Sequence, residues 1–264
     1  MKERPSFPAR LDRPAGPAKG QKRTAASGKP LPGQNAVVDM PPGVRGLGLD
    51  SSAVRMSMVR KLEAQGIRDP RVLSAMGTVE RHRFVDSALV NQAYEDTSLP
   101  IGLGQTISKP GVVARMLDLL LDGRTGHIGR VLEIGTGCGY QAAVLSRLAD
   151  EVYSIERLRG LHDKARDNLR HLRLANLHLL FGDGRDGYAA GAPYGAIIAA
   201  AGGEAVPPAW LDQLAIGGRL VAPVSTGVLS AGTQALLVVD KLPQGLRQTL
   251  LEAVNFVPLK SGLG

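Results

Sequence analysis

The stretch Val131-Leu-Glu-Ile-Gly-Thr-Gly-Cys-Gly-Tyr-Gln-Ala142 constrains this chain more than any other. An apolar run reads as a strand over Val131–Ile134. Three glycines then alternate at 135, 137 and 139, and a helix is predicted over Gln141–Ala149. Glycine is required where backbone turns sharply or where a ligand must approach the main chain. A helix N-terminus behind such a turn offers free amides. The loop is therefore read as a ligand cradle between a strand and a helix.

The same alternation continues downstream. Strands are predicted at Glu151–Ile155, Leu177–Phe181, Gly195–Ala200 and Arg219–Val224, with helices at Leu161–Leu172 and Pro208–Leu214. Ala235–Val239 and Gln248–Val257 read as a closing antiparallel pair. Short connections and near-continuous apolar strands imply an α/β fold, a doubly wound, mostly parallel sheet covered on both faces. Ligands of such sheets bind at the carboxyl ends of the strands.

Ahead of the loop, Val54, Met58 and Leu62 have helical spacing within Ser51–Gln65, and Gly66 suits a C-cap. A second helix starts over Asp69–Met76, and helical segments run to about Tyr94. Leu99–Gly104 reads as an extended, glycine-containing loop. Ser108 is expected to cap a helix whose first turn tolerates Pro110, and whose buried face carries Val112, Val113, Met116, Leu117 and Leu120.

Residues 1–50 contain eight Pro and seven Gly without apolar periodicity, so a disordered leader is expected there. It holds nine Lys/Arg against four Asp/Glu, so +5 of the chain's +8 charge lies in it and +3 in the remaining 214 residues. The body is thus nearly neutral, and no specific nucleic-acid partner is expected. Residues 51–264 form the expected single domain: helices and a substrate loop over 51–129, then an α/β ligand-binding core over 130–264. No window approaches the roughly 18 apolar residues of a membrane span, so no membrane partner is expected. Lys2 and Arg4 precede no apolar stretch of the secretory kind. Cys138 is the single cysteine, which fits a reducing cytoplasm. The five histidines, His82, His127, His162, His171 and His178, show no metal-ligand spacing, so no metal is expected. No interface stripe stands out, and a monomer is the default.

The glycines do not by themselves choose the ligand. Gly137-x-Gly139-x-x-Ala142 satisfies the dinucleotide fingerprint, and Glu156 lies near the distance expected of a ribose-binding acid, so an NAD-dependent oxidoreductase stays open. Glu133 shifts the balance. An acid two residues before the first glycine would repel a pyrophosphate and is placed to face a cationic, phosphate-free ligand. S-adenosyl-L-methionine, with its sulfonium and amino group, is such a ligand. The spacing Glu133-x-Gly135-x-Gly137-x-Gly139 resembles the first motif of Rossmann-like S-adenosylmethionine-dependent methyltransferases.

The segment Leu99-Pro-Ile-Gly-Leu-Gly-Gln-Thr-Ile-Ser-Lys-Pro110 resembles the signature of the protein-L-isoaspartate O-methyltransferase family. Further phrases resemble the same family in the same order: Gly66-Ile-x-Asp-x-Arg71, Arg81-His-Arg-Phe-Val85, Gln92-Ala-Tyr-Glu-Asp96, Pro207-Pro208, Leu214-x-x-Gly-Gly-Arg-Leu-Val-x-Pro223 and Phe256-Val-Pro-Leu259. Together they span about residues 50–259. Gly195 departs from the pattern, since the family usually has an acid there, and the leader reads as an addition to it.

The resemblance implies transfer of a methyl group from S-adenosyl-L-methionine to the α-carboxylate of L-isoaspartyl residues in damaged proteins and peptides, with return through a succinimide. It implies Ser108 and Thr106 as catalytic residues. Gln105, Thr106, Ile107 and Ser108 would line the pocket and the methionine end of the cofactor. Gly135, Gly137 and Gly139 would cradle it beside Glu133. Glu156, with Arg157 beside it, would take the ribose, and Asp183 and Gly184 the adenine. A methyltransferase for nucleic acid or a small molecule is the nearest rival. Residues 99–110 separate the two readings most.

Overall fold

A computed structural model describes residues 52–227 and 233–264. The leader expected to be disordered, 1–50, lies outside the described residues. The chain opens with helices α1 (Ser52–Ala64) and α2 (Pro70–Thr78), then two 3₁₀ turns at Arg81–Phe84 and Ser87–Gln92. Gly66, at φ 100°, ends the first helical segment as expected. Asp69 caps α2 by accepting the Arg71 amide at 2.8 Å.

The expected loop at 99–104 is instead half of a hairpin: β1 (Leu99–Gly102) pairs antiparallel with β2 (Gln105–Ile107). Leu99 and Ile101 are buried while Pro100 and Gly102 are exposed, the two-residue period of a strand. Leu103 and Gly104 both have positive φ, 53° and 68°, which closes the two-residue turn.

Helix α3 (Pro110–Leu121) follows, and its cap corrects the expectation for Ser108. Lys109 occupies the N-cap, held at φ −59°, ψ 147°. Pro110 forces the residue before it into extended backbone, so the helix cannot begin at Ser108. The Asp96 carboxylate takes the Gly111 amide at 2.7 Å and supplies the cap from a distance. Ser108 is thereby released from structural duty.

The core is a seven-stranded sheet in the order β5-β4-β3-β6-β7-β8-β9, comprising β3 (Ile128–Ile134), β4 (Ala149–Glu156), β5 (Leu177–Phe181), β6 (Tyr194–Ala199), β7 (Leu214–Ser225), β8 (Gln234–Leu242) and β9 (Gly245–Val254). Strands β3 to β7 pair in parallel, and β7, β8 and β9 pair antiparallel. The doubly wound α/β expectation therefore holds. Successive residues serve opposite faces: Val131, Ala196 and Ile198 join one core cluster, and Leu132, Ile197 and Ala199 the other. The first cluster also takes Met76 and Leu117 from α2 and α3, so the leading helices and the sheet share one interior.

Helices α4 (Tyr140–Leu145), α5 (Arg159–Leu169) and α6 (Pro208–Gln213) complete the fold. Helix α4 stops four residues before its expected end. Asn176 takes the carbonyls of Ser146 and Ala149 at 2.9 and 3.0 Å, which satisfies groups a longer helix would have bonded. Strand β9 also ends three residues early. The Gln234 side chain accepts the Phe256 amide at 2.8 Å, and Gly202 exchanges bonds with Val257 and Leu259 at 2.9 and 2.7 Å. These bonds pull Val257–Lys260 off the sheet and across the carboxyl ends of the strands. No helix among the described residues is long and apolar enough to cross a membrane.

Candidate active site

The strand order reverses between β3 and β6, and the glycine loop leaves β3 at that switch point. The amides of Gly135 and Thr136 both reach the Ile155 carbonyl, at 2.9 and 3.1 Å, fixing the loop to the end of β4. Gly139 has φ 91°, and a Cβ there would lie 2.7 Å from Leu169 Cδ1. A larger residue would drive α5 away from the loop. Lys164 of α5 donates to the Ile101 carbonyl at 2.7 Å and ties the hairpin over the same loop.

Loop, hairpin and closing segment enclose a cavity of about 220 Å³. Nine expected site residues line it: Gln105, Thr106, Ile107, Ser108, Gly135, Gly137, Glu156, Arg157 and Gly184. Glu156 is nearly buried, and its two carboxylate oxygens accept the amides of Gly137 and Leu158, each at 2.9 Å. A carboxylate oxygen has more than one lone pair, so Glu156 keeps capacity for ligand hydroxyls. The Ser108 hydroxyl makes no hydrogen bond among the described residues. It also borders a second groove, on the side away from the glycine loop.

Three expected residues sit elsewhere. Gly139 lies behind the loop, against α5. Glu133 does not face the cavity; it is fully buried beneath the loop, bonded to the Ser154 hydroxyl, which meets Thr136 Oγ1 at 2.6 Å. Burial pushes its carboxyl up to about 8, against the pull of Ser154 and Gln141. Gln141, buried beside Glu133, lines the cavity. Protonated and buried beneath the loop, Glu133 braces the loop through Ser154 rather than meeting the ligand itself. Asp183 also stays off the cavity wall. It accepts the Arg185 amide at 2.9 Å and the Gly262 amide at 2.6 Å. Arg157 donates to the Gly262 carbonyl at 2.8 Å, so the tail covers the end expected to take adenine.

The sequence reading assigned no role to Val257, Pro258, Leu259 and Lys260, which form one wall. The Phe256-Val-Pro-Leu259 phrase was the available signal, but its path across the cavity depends on Gln234 and Gly202. Cys138 also lines the cavity. Burial raises its thiol pKa, which makes it an unreactive filler.

Comparisons with known proteins agree with this geometry. The family model described as protein-L-isoaspartate(D-aspartate) O-methyltransferase matches residues 53–264. A protein-L-isoaspartate O-methyltransferase of Methylibium petroleiphilum is 57% identical over 264 residues, covering 98% of this chain and 96% of that one. That match reaches into the first 50 residues, so the leader is shared with a relative rather than peculiar to this chain. One of Leptothrix cholodnii is 63% identical over 219 residues, 82% of this chain and 77% of that one. A solved protein-L-isoaspartate O-methyltransferase superposes with TM-score 0.71 at 28% identity, covering 80% of this chain and 67% of that one. A Plasmodium falciparum structure described as a putative enzyme of this kind, in complex with S-adenosyl-L-homocysteine, shares the fold with TM-score 0.65 at 24% identity, covering 78% of this chain and 98% of that one. The nucleic-acid, small-molecule and NAD readings are not favoured. A glycine-loop cavity at the switch point of the sheet, a signature segment whose Ser108 lines that cavity, and relatives matched over nearly the whole chain agree: the chain belongs to the protein-L-isoaspartate(D-aspartate) O-methyltransferase family.

Proposed function

We propose that Ser108 is the residue at which methyl donor and isoaspartyl carboxylate meet, in an enzyme that methylates L-isoaspartyl residues of damaged proteins and peptides. The observation that carries this reading is the unengaged Ser108 hydroxyl between two recesses. The glycine-loop cavity on one side suits S-adenosyl-L-methionine, and the open groove on the other suits a peptide. Bound there, the donor supplies a methyl group on an electron-poor sulfonium.

The chain's own residues have a modest task. The acceptor carboxyl, with an ordinary pKa near 3.5, is already ionised at neutral pH, so no general base is needed. The Ser108 hydroxyl donates a hydrogen bond to one carboxylate oxygen and leaves the other free to attack. Thr106 and Gln105 orient the methionine end of the donor, and Ile107 excludes water. Glu156 and Arg157 hold the ribose, while Asp183 and Gly184 read the adenine once Gly262 yields its place. Orienting the reactants and removing water around the carboxylate supplies the rate, on the order of 7–11 kcal/mol for well-aligned groups. We place the enzyme in the cytoplasm, where a lone buried Cys138 stays reduced, and treat it as a monomer.

Ser108→Ala tests the serine's role. Loss of one hydrogen bond to a charged group costs about 1.5–3 kcal/mol, or roughly tenfold to over a hundredfold in kcat/KM, with donor affinity little changed. A loss under about threefold would contradict it.

A further inference from the structure

The groove beyond Ser108 is bordered by Ser98, Lys109, Val112, Thr233 and the segment Ala253–Asn255. It is continuous with the proposed transfer site, because Ser108 belongs to both walls. One rim is β9, the outermost strand of the sheet, whose outer edge is unpaired among the described residues. Such an edge can pair with an extended peptide.

Among the described residues lining the groove, Lys109 is the charged one. Its position is a poor one for stability. Helix N-caps favour Ser, Thr, Asp or Asn, and a cation at the positive end of a helix is disfavoured. Lys109 makes no side-chain cap bond, and its ammonium has no hydrogen-bond or ion-pair partner among the described residues. Nearby charges are already engaged: Asp96 takes the Gly111 amide, and Glu252 pairs with Arg115 at 2.7 Å. The groove thus presents a cation without an ion-pair partner among the described residues, next to the serine proposed to hold the substrate carboxylate.

We infer that Lys109 is a specificity-determining residue that favours substrates carrying an acidic side chain close in sequence to the isoaspartyl residue. The inference rests on the proposed placement of the acceptor at Ser108. The acidic side chain meets Lys109 while the peptide backbone lies along the outer edge of β9. The contact forms equally in the bound substrate and during transfer, so it acts on KM rather than on kcat.

The test uses synthetic isoaspartyl peptides with Gln at the two positions on either side, and versions with Glu at one of those positions. Wild type, Lys109→Gln and Lys109→Glu are compared, with donor binding by calorimetry as the check on folding. In wild type, the best-placed Glu peptide is expected to have a KM about twofold to fivefold below that of the all-Gln peptide, the range of a partly exposed ion pair. The ratio should fall to about one in Lys109→Gln, reverse in Lys109→Glu, and fade in high salt. Equal KM values in wild type, or a preference that survives in Lys109→Glu, overturn the inference and leave the reaction assignment intact. Failure to methylate any of the peptides refutes the functional reading, and this inference with it.

Discussion

Glu133→Gln should flatten the dependence of stability on pH between about pH 5 and 8. In the folded, ligand-free chain, burial pushes the Glu133 carboxyl up to about 8 from its ordinary 4.5. Across that window the folded chain keeps a proton that the unfolded chain has released. Stability from this group is complete below 4.5 and is lost as pH rises through about 8. The slope is about 1.4 kcal/mol per pH unit, and the full span amounts to about 5 kcal/mol. Relaxation around the new charge reduces this, so a loss of about 2–5 kcal/mol between pH 5 and 8 is expected. Glutamine keeps the size and the contact with Ser154 but cannot ionise. The carboxylates held below their ordinary range by arginine partners, Asp69, Glu80, Asp240 and Glu252, act in the opposite sense and only on the acid side of the window. Urea titrations at pH 5.5 and 8 would show wild type losing stability that the variant keeps. Parallel stability curves for the two proteins would refute the buried, protonated Glu133.

Two further outcomes follow from the site's supports. Glu156→Ala removes the acceptor of the Gly137 and Leu158 amides and the expected ribose contact, and calorimetry should show donor affinity falling at least about tenfold. Trp210 is buried at 1% exposure and its indole donates to the Gly184 carbonyl at 2.8 Å, so Trp210→Ala should cost about 3–5 kcal/mol by denaturant titration and weaken donor binding at the adenine end.

The parallel strands were legible because they carry apolar runs bounded by polar or glycine punctuation, and Leu177–Phe181 matches its predicted bounds. The helix ends were less so, since Asn176, thirty residues beyond Ser146, decides where α4 stops. The hairpin at 99–107 was hidden because two short strands around Gly-Leu-Gly look like loop. Most of the candidate site was recoverable from the glycine loop and the signature. Three features depended on three-dimensional placement. Pro110 moved the cap from Ser108 to Lys109; the loop folded over Glu133 rather than exposing it; and Gly262 reached back to Asp183 across seventy-nine positions. Tertiary contacts of that kind leave no local periodicity in a sequence.

The central claim is best tested by methyl transfer from labelled S-adenosyl-L-methionine to two peptides that differ only in L-isoaspartate versus L-aspartate. Base-labile label on the isoaspartyl peptide alone is the expected result. Label on both peptides alike, or on neither while the donor binds normally, would contradict it.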